Sequence, residues 1–316
     1  MRLVITGASG HLGRRLVQAA SLAGHEVFAW TSPHRGSLLG NSKAHYTPVE
    51  LTIPEQVAEA FWQARPMAII HAAALSTIAD CYRDPVRAFR INAEATRQLV
   101  GLCVAGVSRL IYVSTDLVFD GKLGQYHEDS FTKPLSIYGK SKLDGERAVL
   151  HHPGHLVARV SWLVGRGPAD RPTFLDQMIT SLQQRQPISL FTDEYRSPLG
   201  IDAVAQALIS LASRDVSGVL HLGGPERLSR YDMGCILAKL LEVDSGLVTP
   251  ALQSSIKTPE PRPSDVSLNS NRWRHLMPTS SWPTFAEALR VELALPAARA
   301  SEAVPGSASP TPDRQR

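Results

Sequence analysis

Cysteine is scarce in this chain: three in 316 residues, Cys81, Cys103 and Cys235, odd in number and far apart. No Cys-x-x-Cys pair and no Cys/His spacing is present, so neither a disulfide framework nor a zinc site is expected, and no metal. Charge of one sign is lacking too. The formal net charge is only +4 and the 33 Lys and Arg are scattered without a run, which leaves no electrostatic footprint for nucleic acid. No stretch approaches the roughly 20 apolar residues of a membrane span, and no charged leader precedes a removable apolar segment. These absences lead to the expectation of a soluble, cytoplasmic protein with reduced thiols and no membrane partner.

What is present is ordinary globular material. Hydrophobic residues make up 43% and charged residues 20% of the chain, enough for one large domain or a larger and a smaller one sharing a cleft. The first half alternates short apolar runs with helical patterns, the mark of βαβ units and a parallel sheet. Strands are expected at Arg2 to Thr6, Glu26 to Trp30, Met67 to His71, Arg109 to Ser114 and His155 to Val160. Helices are expected at His11 to Leu22, Glu55 to Ala64, Pro85 to Ala105 and Tyr138 to Leu150. The expected fold class is therefore α/β: a doubly wound parallel Rossmann sheet over 1–160, with a smaller α/β substrate lobe over 161–296, some of whose segments return to the main sheet. Residues 297–316, rich in Ala, Ser and Pro, are expected to form a disordered tail.

Thr6-Gly7-Ala8-Ser9-Gly10-His11-Leu12-Gly13 follows the first strand directly and opens a helix. In that context Gly7 permits a tight turn, Gly10 lets backbone approach a pyrophosphate, and Gly13 lets helix and strand pack closely. The free N–H groups of the helix start, from Ser9 through Leu12, then suit phosphate oxygens. A turn that merely needs positive φ angles is the plainer alternative. At the end of the second strand, Trp30-Thr31-Ser32-Pro33-His34-Arg35 contains no Asp or Glu to take a ribose 2′-hydroxyl. Arg35 is either a ligand for a 2′-phosphate or a solvated loop cation, and NADP is favoured over NAD.

Tyr138 and Lys142, four residues apart in Tyr138-Gly139-Lys140-Ser141-Lys142, share one helix face. A phenol ionises near pH 10, and an adjacent ammonium is expected to lower that value and make the pair an acid–base catalyst. Ser114-Thr115-Asp116 closes a strand where open α/β sheets place ligand groups. The Thr115 hydroxyl could hold a substrate carbonyl near the phenol or could cap the next turn.

Taken together, Ser114 to Gly121, Tyr126-His127-Glu128-Asp129, Pro134-Leu135, the Tyr138 to Lys142 segment and Gly145-Glu146 resemble the extended short-chain dehydrogenases/reductases. Within them the chain is similar to the dTDP-4-dehydrorhamnose reductase branch. His71-Ala72-Ala73, Asn92, Arg159 to Gly165 and Arg262-Pro263 extend the likeness to nearly everything but the tail. The resemblance implies catalytic roles for Thr115, Tyr138 and Lys142. It implies a cofactor groove lined by the glycine turn, Leu51, His71, Ala72, Ala73 and Ser114, with Asn92 at the cofactor site supporting it from its helix, and substrate contacts from Asp116, Trp162 and Arg262. It places Glu128 near the sugar or a metal. The implied activity is NAD(P)H-dependent reduction of a keto sugar, a nucleoside-diphosphate 4-keto-6-deoxyhexose, by a protein that could form a homodimer. The same segments are similar to the regulatory β subunit of methionine adenosyltransferase, which leaves a non-catalytic cofactor-binding role open. A nucleotide-sugar epimerase or dehydratase is a third reading. Asp193 to Pro198 and Leu117 depart from the reductase pattern, so the sugar itself stays unassigned.

Overall fold

Short apolar, β-branched runs become one parallel sheet in the computed structural model, which describes residues 1–33, 43–168 and 170–295. Its strands are β1 (Arg2–Thr6), β2 (Glu26–Thr31), β3 (His45–Pro48), β4 (Ala68–His71), β5 (Arg109–Thr115), β6 (Leu156–Val160) and β7 (Gly218–Leu222). They lie in the order 3-2-1-4-5-6-7. Every neighbouring pair is parallel, with Val4 flanked by Phe28 and Ile69. The sheet is covered on both faces, which is why Leu3–Ile5 of β1 and Ala68–Ile70 of β4 read as continuous apolar runs rather than alternating ones.

The helices are α1 (His11–Leu22), α2 (Pro54–Ala64), α3 (residues 85–105, with a π-helical turn at Arg90–Glu94) and α4 (Ile137–Leu150). They continue with α5 (Phe174–Gln183), α6 (Ile201–Ala212), α7 (Arg230–Leu240) and α8 (Phe285–Glu292). Alternate strand residues face opposite sides. Leu3, Ile5, Ile70, Ile111 and Ala158 pack under α1 and α6. Val4, Ile69, Leu110, Tyr112 and Val157 pack under α2, α3 and α4. Thus α6 and β7, although late in the chain, complete the main sheet.

The smaller lobe has its own core. Leu175, Met178, Ile179 and Leu182 of α5 meet Met233 and Leu237 of α7 and Phe285 and Leu289 of α8. A two-stranded parallel pair, Ile188–Phe191 with Val248–Ala251, closes it. Capping boxes at Thr173, Ser229 and Thr284 start these three helices, each with an acidic partner three residues on. Among the described residues no helix is long and apolar enough to cross a membrane. Arg35 and the 297–316 segment lie outside the described residues.

Candidate active site

The turn between β1 and α1 is built on two glycines. Gly7 has φ +67°, and a Cβ there would lie 2.8 Å from the Ala73 backbone. A Cβ at Gly13 would overlap the Gly7 carbonyl oxygen, so only glycine lets α1 approach the turn this closely. A groove of about 1420 Å³ opens over this turn and runs along the C-terminal ends of β1, β4 and β5. Gly7, Ser9, Gly10, His11, Leu12 and Gly13 form its floor, with Leu51, Ala72, Ala73, Ser114, Tyr138 and Lys142 on its walls. From the lobe, the Arg171 guanidinium donates to the Ser9 carbonyl at 3.0 Å and bridges one side.

Two residues expected at the cofactor site do not line the groove. His71 is wholly buried: its Nδ1 lies 2.7 Å from the Thr6 hydroxyl and its Nε2 3.1 Å from the Thr96 hydroxyl. The last residue of β4 turns its side chain inward to α3, and only Ala72 and Ala73 reach the groove. Burial, aided by the Lys142 charge, lowers the imidazole to about 3, so His71 is a neutral brace. Asn92 is also buried. In the π-helical turn of α3 it pairs with both backbone groups of Leu75, at 2.9 and 3.0 Å, and donates to the Ser141 hydroxyl at 2.9 Å. Asn92 therefore fixes the 75 loop to α4 rather than lining the groove.

Helix α4 starts on the Ser136 hydroxyl, which accepts from Gly139 N at 3.1 Å, and on Glu260, which accepts from Ile137 N at 2.7 Å. This start sets Tyr138 in the first turn and Lys142 one turn later. The Lys142 ammonium donates to the Val113 carbonyl at 2.7 Å and sits 3.9 Å from the Tyr112 ring centre. Burial lowers it to about 7, against the pull of the Glu146 carboxylate. The phenol of Tyr138 behaves opposite to expectation. Burial, with the Asp116 carboxylate adding to it, pushes Tyr138 well above its ordinary value, while a hydrogen bond from Thr115 works the other way. Desolvation outweighs that hydrogen bond, and the Lys142 ammonium is itself directed at a strand carbonyl.

Thr115 caps the next turn, one of the two uses its position allowed. Its hydroxyl caps the short turn Asp116–Val118, accepting from Leu117 N at 3.2 Å, and also faces the cleft beside Tyr138. The neighbouring Ser114 hydroxyl donates to Glu146 at 2.5 Å. Glu146 is fully buried and forks with Arg159, the shortest contact being 2.8 Å. The Glu128 carboxylate accepts from His221 N at 3.1 Å and ties the 126–130 loop to β7. Among the described residues no cluster of His, Cys, Asp or Glu could hold a metal ion.

A second pocket, about 330 Å³, adjoins the groove, and Tyr138 and His11 line both. Thr115, Asp116 and Trp162 stand in it together with four residues from the lobe side: Glu194, Arg196, Arg230 and Arg262. Burial raises Asp116 against the opposing charge of Arg196, which approaches to 3.7 Å; Ser161 donates to Asp116 at 2.8 Å. Arg262, for which the resemblance implies a substrate contact, lines this pocket and holds Glu194 with contacts of 2.6 and 2.9 Å. Glu194, Arg196 and Arg230 escaped the sequence reading because they are scattered over 194–230 without a periodic signal.

The family described as RmlD substrate binding domain matches residues 1–294. The probable dTDP-4,6-dihydroxy-2-methyloxan-3-one 4-ketoreductase of Streptomyces antibioticus is 33% identical over 288 residues, 89% of this chain and 92% of that protein. The dTDP-4-dehydrorhamnose reductase of Mycobacterium tuberculosis is 30% identical over 305 residues, 94% and 93% of the two chains. Methionine adenosyltransferase 2 subunit beta of Danio rerio is 27% identical over 299 residues, 92% and 90% of the two. In fold, the crystal structure of dTDP-4-dehydrorhamnose reductase from Bacillus anthracis in complex with NADP superposes with a TM-score of 0.82 at 24% identity, covering 92% of this chain and 98% of that one. The chain belongs to the RmlD substrate binding domain family of extended short-chain dehydrogenases/reductases.

Proposed function

We propose that the protein is an NADPH-dependent reductase of a keto sugar carried on a nucleoside diphosphate, a 4-keto-6-deoxyhexose. One observation carries this reading: Tyr138 stands at the junction of a dinucleotide-sized groove and a cation-lined pocket. The groove fits the cofactor, because Gly7 and Gly13 let the turn, the Ala73 backbone and α1 pack closely, and α1 points its N-terminus at the turn on the groove floor. The glycine turn, Ala72, Ala73 and Lys142 would hold it. When bound, a reduced nicotinamide supplies the hydride. NADPH is preferred over NADH in this reading because β2 ends at Thr31 and Ser32, with no carboxylate for a ribose 2′-hydroxyl.

The remaining work belongs to the chain. Thr115 orients the keto oxygen, and Tyr138 donates a proton to it as negative charge develops. The buried phenol is fully protonated near neutral pH, the state a proton donor needs. Lys142 anchors the ribose side and keeps the groove cationic. The relatives that reduce dTDP-linked keto sugars support the substrate class. Three free cysteines, two of them buried, support a cytoplasmic setting.

The test follows NADPH absorbance with dTDP-4-keto-6-deoxyhexoses. Wild type consumes cofactor, and Tyr138→Phe loses about 10²–10⁴-fold in kcat while NADPH affinity holds. Normal turnover by that variant removes the assigned role. The likeness to methionine adenosyltransferase 2 subunit beta favours a second reading, a cofactor-binding regulatory subunit. Co-purification with a synthetase, with no consumption of NADPH over the same sugars, is its signature.

A further inference from the structure

Glu194 is the hub of the second pocket. One carboxylate oxygen accepts from Arg230 Nε at 2.9 Å and lies 3.2 Å from Arg196 Nη2, and the other accepts from Arg262 at 2.6 and 2.9 Å. The side chain is wholly buried, and burial alone would raise it. The guanidiniums of Arg196, Arg230 and Arg262 overcome that and hold it at about 2. A carboxylate so saturated neither gives nor takes a proton near neutrality. What it can do is fix the directions of three long, otherwise mobile side chains.

Arg230 is held further by its neighbours. Its guanidinium carbon stands 4.9 Å from the Trp162 ring centre and 5.7 Å from that of Phe174. Its Nη1 is buried, yet has no hydrogen-bond partner among the described residues. A buried charged donor left unmade is expensive and is kept where a ligand completes it. Three guanidiniums against one carboxylate leave the cluster net positive, and Arg196 leans towards Asp116. The uncommitted charge is thus concentrated on Arg230 and Arg262, at the end of a pocket that also contains Tyr138.

We infer that Glu194 is a positioning residue that locks Arg196, Arg230 and Arg262 into one cradle, with the free edge of Arg230 as a donor to the diphosphate of the substrate. The inference rests on the nucleotide-sugar reading above. Guanidiniums grip phosphate oxygens in forks, and a diphosphate brings the double negative charge that this cluster lacks. With the diphosphate there, the attached sugar extends along the pocket towards Thr115 and Tyr138.

The opposite idea is that Glu194 only trims excess positive charge. The two differ in sign. Glu194→Gln keeps the shape and makes the pocket more positive, so mere charge trimming predicts tighter anion binding. Positioning predicts weaker binding. The experiment titrates dTDP calorimetrically into wild type, Glu194→Gln and Arg230→Lys, with thymidine as the uncharged control and NADPH titration as the check on folding. Both variants are expected to bind dTDP on the order of tenfold more weakly, with thymidine and NADPH unchanged and KM for the sugar nucleotide rising more than kcat falls. Equal or tighter dTDP binding by Glu194→Gln overturns the positioning role and leaves the reductase reading standing. If that variant loses NADPH binding through misfolding, Arg230→Lys decides: wild-type affinity for dTDP overturns the inference. Absence of dTDP binding by wild type overturns both the inference and the nucleotide-sugar reading.

Discussion

Lys142 allows a prediction in which function and stability move in opposite directions. Replacing it with Met keeps most of the side-chain length and removes the ammonium that donates to Val113 O at 2.7 Å. In the free protein burial lowers this group to about 7, so its charge disappears as the pH rises beyond neutral. The kcat/KM for NADPH reports ionisations of the free enzyme. Wild type should therefore lose about tenfold per pH unit above neutrality, and roughly a hundredfold over two units, while Lys142→Met shows a low and flat profile. The stability effect has the other sign. The unfolded chain keeps this proton up to 10.5 and the folded chain only to about 7, so between those values the unfolded state holds more protons. Stability from this group is full above the upper value, declines as pH falls through the window, and is gone below the lower one. The penalty at slightly acid pH is at most about 5 kcal/mol. The lost carbonyl bond and ring contact offset part of it, leaving a gain for Lys142→Met on the order of 2 kcal/mol. Urea unfolding of both proteins at pH 6 and pH 9.5 measures it. Equal midpoints at pH 6, or an alkaline decline in kcat/KM that survives in Lys142→Met, would refute the reasoning.

Two further predictions concern the buried polar frame. Burial holds His71 and His221 at about 3, against 6.5 when unfolded. Their contribution is present above the unfolded value and is lost as pH falls towards the folded one, each unit removing up to about 1.4 kcal/mol per histidine. Urea midpoints should drop steeply below pH 6.5 in wild type and less steeply in His221→Gln; parallel profiles would dismiss the histidines as the cause. Arg159→Met strands the buried Glu146 carboxylate and should cost about 3–5 kcal/mol, whereas adding Glu146→Met should restore most of it. Additive losses in the double variant, seen by urea unfolding, would contradict a coupled pair.

The inner strands of the main sheet were legible because they are buried on both faces and alternate with helices of matching period, whereas the edge strand β3, exposed or half-buried and without an apolar run, was not. The glycine turn, Thr115, Tyr138 and Lys142 were legible for a related reason: a turn and a helix face are local, and local spacing survives in one dimension. The failures at the site are contacts between distant segments. His71 could not be distinguished from Ala72 and Ala73 without knowing that Thr6 and Thr96 flank it. The raised phenol of Tyr138 depends on burial and on Asp116, which outweigh the hydrogen bond from Thr115. Glu194 gathers arginines from 196, 230 and 262, and no spacing rule connects them. Charge neutralisation is a property of the folded lobe alone.

Asp116 bears on the choice among reductase, epimerase and dehydratase chemistry. Eliminating water from a sugar needs groups that take a proton from carbon and give one to the leaving hydroxyl, in addition to the phenol. Asp116 is the carboxyl group nearest in sequence to Thr115, and both its oxygens are engaged, with Thr115 at 3.2 Å and Ser161 at 2.8 Å, while Arg196 stands at 3.7 Å. The next residue is Leu117, whose backbone N–H caps onto Thr115 and whose side chain carries no acid. A carboxyl group tied on both oxygens serves to hold Thr115 in place, and a phenol kept protonated by burial is suited to giving a proton rather than taking one. Both facts favour hydride addition to a carbonyl over elimination. Asp116→Asn should therefore keep measurable keto-sugar reduction with a changed KM, because the amide oxygen can still accept from one of Ser161 and Thr115 while its NH2 donates to the other hydroxyl. Complete loss of turnover with unaltered NADPH and dTDP binding would instead make Asp116 an acid–base group and reopen the dehydratase reading.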